Sequence, residues 1–335
     1  MRTRLVVVAA ASLASMSLAA CSDDPRTTGS TSSAASISAP TTATTAEPDV
    51  VVRAVTLNVL HGIFCAADTD FCQATDRAVM VAGGIAASGC PELVGFQEIG
   101  PAQATAFPEA MAGVCEGRYE LAWEAIDSPD RAMIFTTLPI VDRGYLDLAA
   151  FPWEAYRVRV ATEAGPVDFL TTHFASSVNN PDCTAEICPP VCSIGIPTNE
   201  CNAHEVVAAM DALDGAAIQI VSGDLNATPG SPTVTLLADA GFADGWLASG
   251  LAECDPTTGA GCTGDRPRPE NALDGLDVTT GRYTERIDYI LIRPATRCDV
   301  VSKPMFAEPL ETPIAGLYWA SDHAGVSTEF TCTPS

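Results

Sequence analysis

The sequence predicts a single mixed α/β domain of about 280 residues, preceded by an N-terminal segment of different composition. From residue 50 onward, short β-rich runs alternate with helical stretches. No second linker as polar as the N-terminal segment divides these residues, which favours one domain. With 47% hydrophobic and 18% charged residues, the chain of 335 residues is too apolar to be collagen-like or wholly disordered.

The predicted strands are short runs rich in β-branched, aromatic and other apolar residues, bounded by turn residues. They cover residues 50–57, 92–96, 119–125, 132–136, 156–161, 167–172, 217–222, 286–292 and 325–330. Helices are predicted between several of them, at 75–88, from Pro101 onward, at 202–213 and at 233–240. Pro101 is suited to the first position of a helix, and the pair Ser231-Pro232 is a typical start of the last one.

Two long segments are predicted to be loops, residues 176–201 and 253–281. Both are rich in Pro, Gly, Asn, Asp and Cys. Loops of this length are usually functional or disordered, and their cysteines favour a functional role. We therefore expect both loops to border the site that the strands present.

The N-terminus has the pattern of an export signal. Residues 1–4 carry positive charge, residues 5–20 are apolar and uncharged, and Leu18-Ala19-Ala20 lies directly before Cys21. The apolar run is shorter than the roughly 20 residues of a membrane-spanning helix. Its end resembles the lipobox of bacterial lipoproteins, in which the Cys is diacylated and becomes the new N-terminus. Ordinary signal cleavage nearby, with Cys21 left free, is the alternative.

The predicted domain boundaries follow from this pattern. Residues 1–20 would be a signal peptide, residues 21–48 the lipidated Cys21 and a flexible tether, and residues 49–335 the folded domain. Residues 22–48 lack aromatic residues and apolar periodicity, so they cannot bury enough surface to offset chain entropy. We expect an exported monomer, anchored by its lipid at the bacterial cell surface or on the periplasmic face of a membrane.

The chain has 13 cysteines, and setting Cys21 aside leaves an even number, which in an exported protein indicates disulfides. The remaining cysteines are Cys65, Cys72, Cys90, Cys115, Cys183, Cys188, Cys192, Cys201, Cys254, Cys262, Cys298 and Cys332. Cys65 with Cys72 and Cys254 with Cys262 are close enough in sequence to be local pairs. The cluster at 183–201 also suggests a zinc site, but exported thiols oxidise, so disulfides that staple a long loop fit better.

The charge disfavours broad capture of a polyanion. Seventeen basic against 42 acidic residues give −25, and Lys303 is the single lysine. Removing residues 1–20 would take away Arg2 and Arg4 but no acidic residue, so the exported chain would be more acidic still. The sequence has no polybasic tail or stripe with which to neutralise nucleic acid or anionic lipid.

Polar residues follow several predicted strands at the points where the strands end, where an α/β scaffold exposes side chains to a ligand. Asn58, Glu98, His173, Asp224 and Asn226 follow such strands. Asp288, within the predicted strand 286–292, and Asp322 and His323, just before the predicted strand 325–330, complete the set. Carboxylate and amide oxygens with few imidazoles and no thiolate are the ligand set of a hard cation such as Mg²⁺. Each residue alone also fits a structural role: Asn58 and Asp224 suit turns, and Asp288 needs a partner because its strand is apolar.

Taken together and in this order, these motifs resemble the endonuclease/exonuclease/phosphatase family over about residues 50–330. The family includes pancreatic-type deoxyribonucleases, abasic-site endonucleases, bacterial neutral sphingomyelinases and inositol polyphosphate phosphatases. The string GDLNATP at 223–229 and Ser321-Asp322-His323 carry most of the resemblance, with Gln97-Glu98 and RIDY at 286–289 adding to it. Residues 131–140 are similar to an internal strand of the family, with Arg131 where Gly usually stands.

The resemblance implies a four-layer sandwich, in which two mixed β-sheets pack face to face with helices outside and the site lies at one end. It also implies a metal centre. Asn58 and Glu98 would hold Mg²⁺, for which Mn²⁺ can substitute, with Glu98 as the direct ligand and Asp322 close to the metal. The metal would bind a phosphate oxygen and neutralise the charge that develops in the transition state.

The remaining roles implied by the resemblance are catalytic. Asp224 and Asn226 would orient the attacking water and the phosphate, and Asp288 would accept a hydrogen bond from His323 and fix its tautomer. His173 would contact the phosphate from the opposite side and protonate the leaving oxygen. The general base stays open between the two histidines and Asp224. The other two histidines, His61 and His204, receive no role.

The predicted function is metal-dependent hydrolysis of phosphodiester or phosphomonoester bonds outside the cell. A secreted non-specific endonuclease and a catalytically inactive binding lipoprotein on the same fold are the alternatives. All the predicted catalytic residues are present, which favours an enzyme. The low lysine content and the cysteine-rich loops favour a small or lipid-derived phosphoester over duplex DNA, with the membrane reached only through the acyl anchor at Cys21.

Overall fold

The computed structural model of the chain describes residues 49–61, 65, 70–124, 131–149, 154–176, 179–264, 273–294 and 297–333. Cys21, the predicted signal peptide and the predicted tether lie outside these residues, so the boundaries at residues 20 and 48 and the lipid anchor stay predictions. In the described part of the chain, no helix is both long enough and apolar enough to cross a membrane.

The described residues form twelve strands, and each predicted strand overlaps one of them. They are β1 (Val50–Asn58), β2 (Leu93–Ile99), β3 (Glu120–Glu124), β4 (Arg131–Thr136), β5 (Ile140–Asp147), β6 (Glu154–Thr162), β7 (Gly165–His173), β8 (Ile218–Asp224), β9 (Ala243–Asp244), β10 (Asp288–Arg293), β11 (Cys298–Met305) and β12 (Gly325–Cys332).

Helices connect and cover the strands. They are α1 (Asp70–Ala87), α2 (Pro101–Ala112), α3 (Thr198–Asp211), α4 (Pro232–Asp239), α5 (Gly245–Ala248) and α6 (Leu273–Leu276), with a 3₁₀ turn at Cys115–Gly117. The first residues of α1, Asp70 to Gln73, have φ between 46° and 56° and are left-handed. The right-handed helix therefore begins at Ala74, one residue before the predicted start.

Two mixed six-stranded sheets form the centre of the fold. The strand orders are β11-β12-β1-β2-β4-β3 and β5-β6-β7-β8-β10-β9. In each sheet one central pair is parallel, β1 with β2 and β7 with β8, while the other pairs are antiparallel. The carboxyl ends of these parallel pairs are where polar residues follow the strands.

Alternating side chains of β1 show how the layers are built. Val52 and Ala54 belong to the core between the sheets, together with Phe169 of β7 and Ile220 of β8. The residues of β1 that point the other way pack under α1 and α2; this outer core contains Val55, Leu57, Val81, Ile85, Phe107 and Met111. A third core lies between the second sheet and helices α3 and α4 and contains Leu170, Val221, Val206, Met210 and Leu237. The predicted four-layer sandwich is confirmed.

The sequence pattern misses three strands, β5, β9 and β11, and all three lie at sheet edges. Strands β5 and β11 are edge strands with largely exposed side chains, and they carry charged residues such as Arg143 and Lys303. Edge strands that face water lack the apolar run or clean alternation that marks a buried strand. Strand β9 has 2 residues, too few to show any period.

The predicted loops need two corrections. Helix α3 begins at Thr198, inside the predicted loop 176–201, although its first turn is too polar to show a helical pattern. Side-chain contacts with the loop hold this turn: the Thr198 hydroxyl donates to the Pro181 carbonyl at 2.8 Å, and the Asn199 N–H donates to Asn180 Oδ1 at 2.9 Å. The predicted loop 253–281 contains the single-turn helix α6.

The cysteines of the folded domain form disulfides. The pairs are Cys65–Cys72, Cys90–Cys115, Cys183–Cys188, Cys192–Cys201, Cys254–Cys262 and Cys298–Cys332. Both predicted local pairs are confirmed. The cluster at 183–201 holds two disulfides rather than a zinc ion, and it staples the loop that leads from β7 into α3.

Candidate active site

Three predicted site residues lie side by side on neighbouring strands of the second sheet. His173 ends β7, Asp224 ends β8, and the two residues are partners in the parallel register. Asp288 begins β10 and is the antiparallel partner of Asp224. Sheet pairing alone therefore places one imidazole and two carboxylates at the same end of the sheet, where these strands end or begin.

Glu98 reaches the site because β2 is irregular at its end. The register of β2 against β4 shifts between Phe96 and Ile99, and Glu98 has φ 59°. A bulge of this kind re-aims a side chain. The neighbouring Gln97 stays inside, where its amide donates to Thr171 Oγ1 at 2.7 Å, while the Glu98 carboxylate lies at the site.

Asn58 joins the two sheets at the site. Its Nδ2 donates to Glu98 Oε1 at 2.9 Å and to Asp224 Oδ2 at 3.1 Å. Its Oδ1 accepts a hydrogen bond from the Leu60 N–H at 3.1 Å. In this arrangement the side chain of Asn58 orients the carboxylates of Glu98 and Asp224.

Asp322 and His323 come from the segment that leads into β12. Ser321 Oγ donates to the Asn58 carbonyl at 2.6 Å, which fixes this segment against the end of β1. His323 Nδ1 lies 3.0 Å from Asp288 Oδ2, the contact expected of an Asp-His pair. His323 Nε2 lies 3.8 Å from Asp224 Oδ2, and His173 Nε2 lies 3.5 Å from the same oxygen.

Asn226 holds the loop after β8. Its backbone N–H donates to Asp224 Oδ1 at 2.8 Å, and its side-chain Nδ2 donates to the Phe174 carbonyl at 3.0 Å. Asn226 has φ 46°, a left-handed conformation that Asn tolerates better than most residues. The structure thus brings Asn226 beside Asp224 and Phe174, the residue that follows His173, with its amide nitrogen turned towards the loop after β7.

Gly223 allows the close approach of β7 and β8 next to the predicted catalytic residues. It has φ 136°, and a Cβ at this position would lie 1.9 Å from the Thr172 carbonyl oxygen. Any other residue would have to push β7 away from β8. The glycine before Asp224 is therefore a steric requirement for the register that pairs Asp224 with His173.

Residues 55–323 match the Endonuclease/Exonuclease/phosphatase family. The chain belongs to this family. The matched range includes every predicted metal-binding and catalytic residue, from Asn58 to His323. Members of the family hydrolyse phosphoester bonds and typically depend on a divalent metal. No curated protein matches the chain closely by sequence.

Solved structures of distant sequence share the fold. A family protein from Bacteroides thetaiotaomicron is 14% identical, with a TM-score of 0.59 over 85% of this chain and 98% of that chain. A family protein from Bacteroides vulgatus is 17% identical, with a TM-score of 0.57 over 84% of this chain and 99% of that chain. Truncated TDP2 of Caenorhabditis elegans is 14% identical, with a TM-score of 0.55 over 84% and 98%. At these identities the likeness concerns the fold alone.

The Glu98 carboxyl is held ionised. Burial works to raise its pKa, but neighbouring imidazoles and the hydrogen bond from Asn58 outweigh burial and lower the pKa from 4.5 to about 2. The imidazoles concerned are those of His61, His173 and His323. His61 lies beside Glu98, with its backbone N–H donating to Glu98 Oε2 at 3.1 Å and its Nε2 at 3.5 Å from that oxygen. An ionised, oriented carboxylate of this kind suits a direct metal ligand.

The Asp288–His323 pair is buried among further carboxylates. Burial lowers the pKa of His323, but Asp288, Asp224 and Asp322 outweigh it and raise the pKa from 6.5 to about 10. Burial and the charge of Asp224 raise the pKa of Asp288 to about 6, against the opposing effect of His323. At neutral pH the metal-free pair is thus an ion pair, with the Nδ1 proton of His323 on the Asp288 side.

The donor set fits a hard divalent cation. Glu98, Asp224, Asp288 and Asp322 are all buried at one end of the sandwich, and carboxylate oxygens are the ligands that Mg²⁺ prefers. Ligand atoms of Asp224, Asp288 and His323 lie within 4.8 Å of one another. This group differs from the predicted ligands Asn58, Glu98 and Asp322. The ligand roles of Asn58, Glu98 and Asp322 stay predictions.

The sequence pattern misses two residues that organise the site. Thr263 Oγ1 accepts the backbone N–H groups of Ile287 and Asp288, each at 3.1 Å, and its carbonyl accepts the Ala324 N–H at 2.7 Å. Thr263 lies in a predicted loop, where nothing in the sequence distinguishes it. Arg77 lies fully buried in α1, and here a signal exists: it is a cation within the apolar stripe of a predicted helix. His204 lies in α3, as predicted.

Proposed function

We propose that this protein is a divalent-metal-dependent phosphodiesterase that acts outside the cell. The observation that carries the proposal is the joining of both sheets at one point: Asn58 of the first sheet bonds to Asp224 of the second, and Asp224 is flanked by His173 and His323. A site that assembles acid, base and metal-binding groups in this way has the components of phosphoester hydrolysis.

Each side chain has a proposed task. Glu98 and Asp322, oriented by Asn58, would hold Mg²⁺, and the metal when bound would polarise a phosphate oxygen. Asp224 and Asn226 orient the attacking water and the phosphate. Asp288 holds the proton on His323 Nδ1, so that Nε2 faces the reacting phosphate, and His173 donates a proton to the leaving oxygen from the other side.

Charge supports a substrate with a single phosphate over duplex DNA. Several arginines that would be candidates for binding a polyanion are neutralised by carboxylates. Arg157 and Arg159 both pair with the buried Asp168, and Arg286 pairs with Asp244 at 2.7 Å and with Glu253. A duplex-binding enzyme needs several free cations along its groove. We therefore propose a small or lipid-derived phosphodiester as the substrate.

Oxidising conditions support the extracellular location. The disulfides fit a compartment outside the cytoplasm, where thiols oxidise. Lipid attachment at Cys21 would then hold the enzyme at the membrane as a monomer, with the substrate and the lipid anchor as its partners.

Activity against a panel of substrates tests the proposal. The panel is sphingomyelin, a phosphatidylinositol phosphate, an aryl phosphodiester and plasmid DNA, each with Mg²⁺, with Mn²⁺ and with chelator. We expect the protein to hydrolyse a small or lipid substrate. A chelator should abolish this activity and Mg²⁺ should restore it, and the Glu98→Gln variant should need a higher metal concentration for activity. Full activity in chelator would contradict the metal mechanism, and efficient plasmid nicking without hydrolysis of the small substrates would make the protein a nuclease.

A further inference from the structure

Arg77 is a fully buried cation whose donors are all directed at backbone carbonyls. Its Nε donates to a carbonyl of its own helix start at 2.7 Å, and Nη1 and Nη2 reach across to two other segments. The carbonyls that accept these bonds are those of Phe71, Cys72, Val59, Leu60 and Ala320. A guanidinium group is suited to such a task, because its donors form a rigid planar fork.

Two of the three segments that Arg77 connects carry predicted metal ligands. The segment after β1 adjoins Asn58, and the segment before β12 contains Asp322. Leu60 has φ 56°, a strained conformation for this residue, and its N–H donates to Asn58 Oδ1 at 3.1 Å. The bond from Arg77 Nη2 to the Leu60 carbonyl, at 3.0 Å, holds that conformation. The position of Asn58, which orients Glu98, thus depends on the fork of Arg77.

The segment before β12 leads to Asp322. Arg77 Nη1 lies 3.3 Å from the Ala320 carbonyl, directly before Ser321 and Asp322. Ser321 in turn donates to the Asn58 carbonyl. One side chain on α1 therefore fixes the loop after β1 against the loop before β12.

The charge of Arg77 also faces the site. Burying a cation is costly, and burial lowers the pKa of Arg77 to about 10 although Asp322 and Glu98 act to raise it. In the described part of the chain Arg77 forms no ion pair. Its hydrogen bonds to carbonyl oxygens therefore offset the cost of burying its charge. A cation buried at this cost, against the segments that carry two proposed ligands, points to a role in positioning those ligands.

We propose that Arg77 is a positioning residue that sets the affinity of the site for its divalent cation, by holding the Asn58 and Asp322 loops in one arrangement through its fork of donors. The inference rests on the proposed metal site. A lysine at this position keeps the charge but loses the fork. Arg77→Lys should therefore bind metal more weakly while retaining the carboxylates that touch it.

Calorimetric titration with Mn²⁺ alone tests the inference. We expect Arg77→Lys to weaken Mn²⁺ binding by about 10-fold, the usual range for residues that orient metal ligands. Raising the Mn²⁺ concentration should restore much of the activity that Arg77→Lys loses at low Mn²⁺, because excess metal offsets weaker binding. Arg293→Lys is the control, since Arg293 lies at the end of β10 away from Asp288 and bonds to Gln219 and Asp211.

The outcomes separate the two proposals. Wild-type protein that fails to bind Mn²⁺ overturns the proposed metal function, and wild-type and Arg77→Lys proteins that bind equally overturn only the role of Arg77. If Arg77→Lys does not fold, Gln103→Met replaces it, because Gln103 Nε2 donates to the same Leu60 carbonyl at 2.8 Å. Weaker Mn²⁺ binding by Gln103→Met would support a role for the held Leu60 turn, and unchanged binding would contradict it.

Discussion

At the scale of single residues, Asp288 and His323 form the pair on which the proposed chemistry depends. Their side chains meet at 3.0 Å in a fully buried place, and the N–H of Asp288 is itself held by Thr263. A carboxylate that fixes the tautomer and orientation of an imidazole contributes to catalysis only through that imidazole. The two residues should therefore behave as one unit in kinetics.

Substitution of this pair tests that expectation. Asp288→Asn and His323→Ala should each lower kcat by two to four orders of magnitude, about the range for removing a member of a catalytic unit. The double variant should be little worse than either single variant, because the losses are not additive within a unit. Losses that multiply, in steady-state assays of all three variants, would show that the residues act independently.

The raised pKa of His323 has a consequence for stability in chelator. Folding binds the His323 proton more tightly, because the pKa rises from 6.5 in the unfolded chain to about 10 in the folded one. The stabilisation is fully present below pH 6.5 and is lost as the pH rises from 6.5 towards 10. We expect the free energy of unfolding of metal-free wild type to fall by a few kcal/mol over this range.

Chemical denaturation at several pH values, in chelator, measures this loss. The matched variant is His323→Asn, which keeps a polar side chain but has no proton to lose. Its free energy of unfolding should change less between pH 6.5 and 10 than that of wild type. Parallel curves for the two proteins would mean that His323 is not held protonated. The pKa of Asp288, raised to about 6, lies below this window.

At the scale of elements, strand ends made most of the site predictable. His173, Asp224 and Asp288 end or begin buried strands that show clear apolar runs, and sheet register then forces them together. The rest depends on local geometry that sequence does not encode by itself. The bulge that turns Glu98 outward and the fork of Arg77 each arise from tertiary contacts.

Edge strands show the same limit from the opposite side. Residues of β5 and β11 face water on much of their surface, so their sequence resembles that of a loop. Such strands form because a neighbouring strand supplies the ladder of hydrogen bonds, as β6 does for β5. Core strands are therefore predictable from their own residues, while β5 and β11 are predictable only from their partners.

The close contact at Gly223 gives a prediction for the pairing of β7 with β8. Gly223→Ala should destabilise the protein by more than about 3 kcal/mol, since its Cβ would overlap the Thr172 carbonyl. Gly230→Ala is the control: Gly230 also has positive φ, 81°, but open space around it, so only the backbone cost of about 1 kcal/mol applies. Thermal and denaturant unfolding of both variants would measure the difference, and equal losses would mean that the close contact does not limit β7–β8 pairing.

At the scale of the whole molecule, the disulfides are suited to an oxidising environment, and the excess of acidic residues sets the electrostatics of the surface. A net charge of −25 keeps the chain soluble and disfavours binding to anionic surfaces. A protein of this charge would have little electrostatic attraction to a membrane, so a covalent anchor would be needed to keep it there.

The anchor at Cys21 is testable in cells. Cys21→Ser should move the protein from the membrane fraction to the soluble fraction, because the acyl group would be missing. Ser22→Ala, a change at the next residue, is the control and should leave the protein in the membrane fraction. A Cys21→Ser protein that stays with membranes, or wild type without an acyl chain by mass spectrometry, would contradict lipid anchoring.

The pairing of β1 with β12 determines where the domain can be attached to a support without covering Asn58. Val50, at the start of β1, pairs with Cys332, at the end of β12, whereas Asn58 lies at the opposite end of β1. A strand of 9 residues, at roughly 3.3 Å per residue, separates these ends by about 26 Å. A bead or a fusion partner joined directly at Asp49 or Thr333 would lie at the end of β1 and β12 opposite Asn58, so the immobilised domain should keep the proposed site open to dissolved substrate.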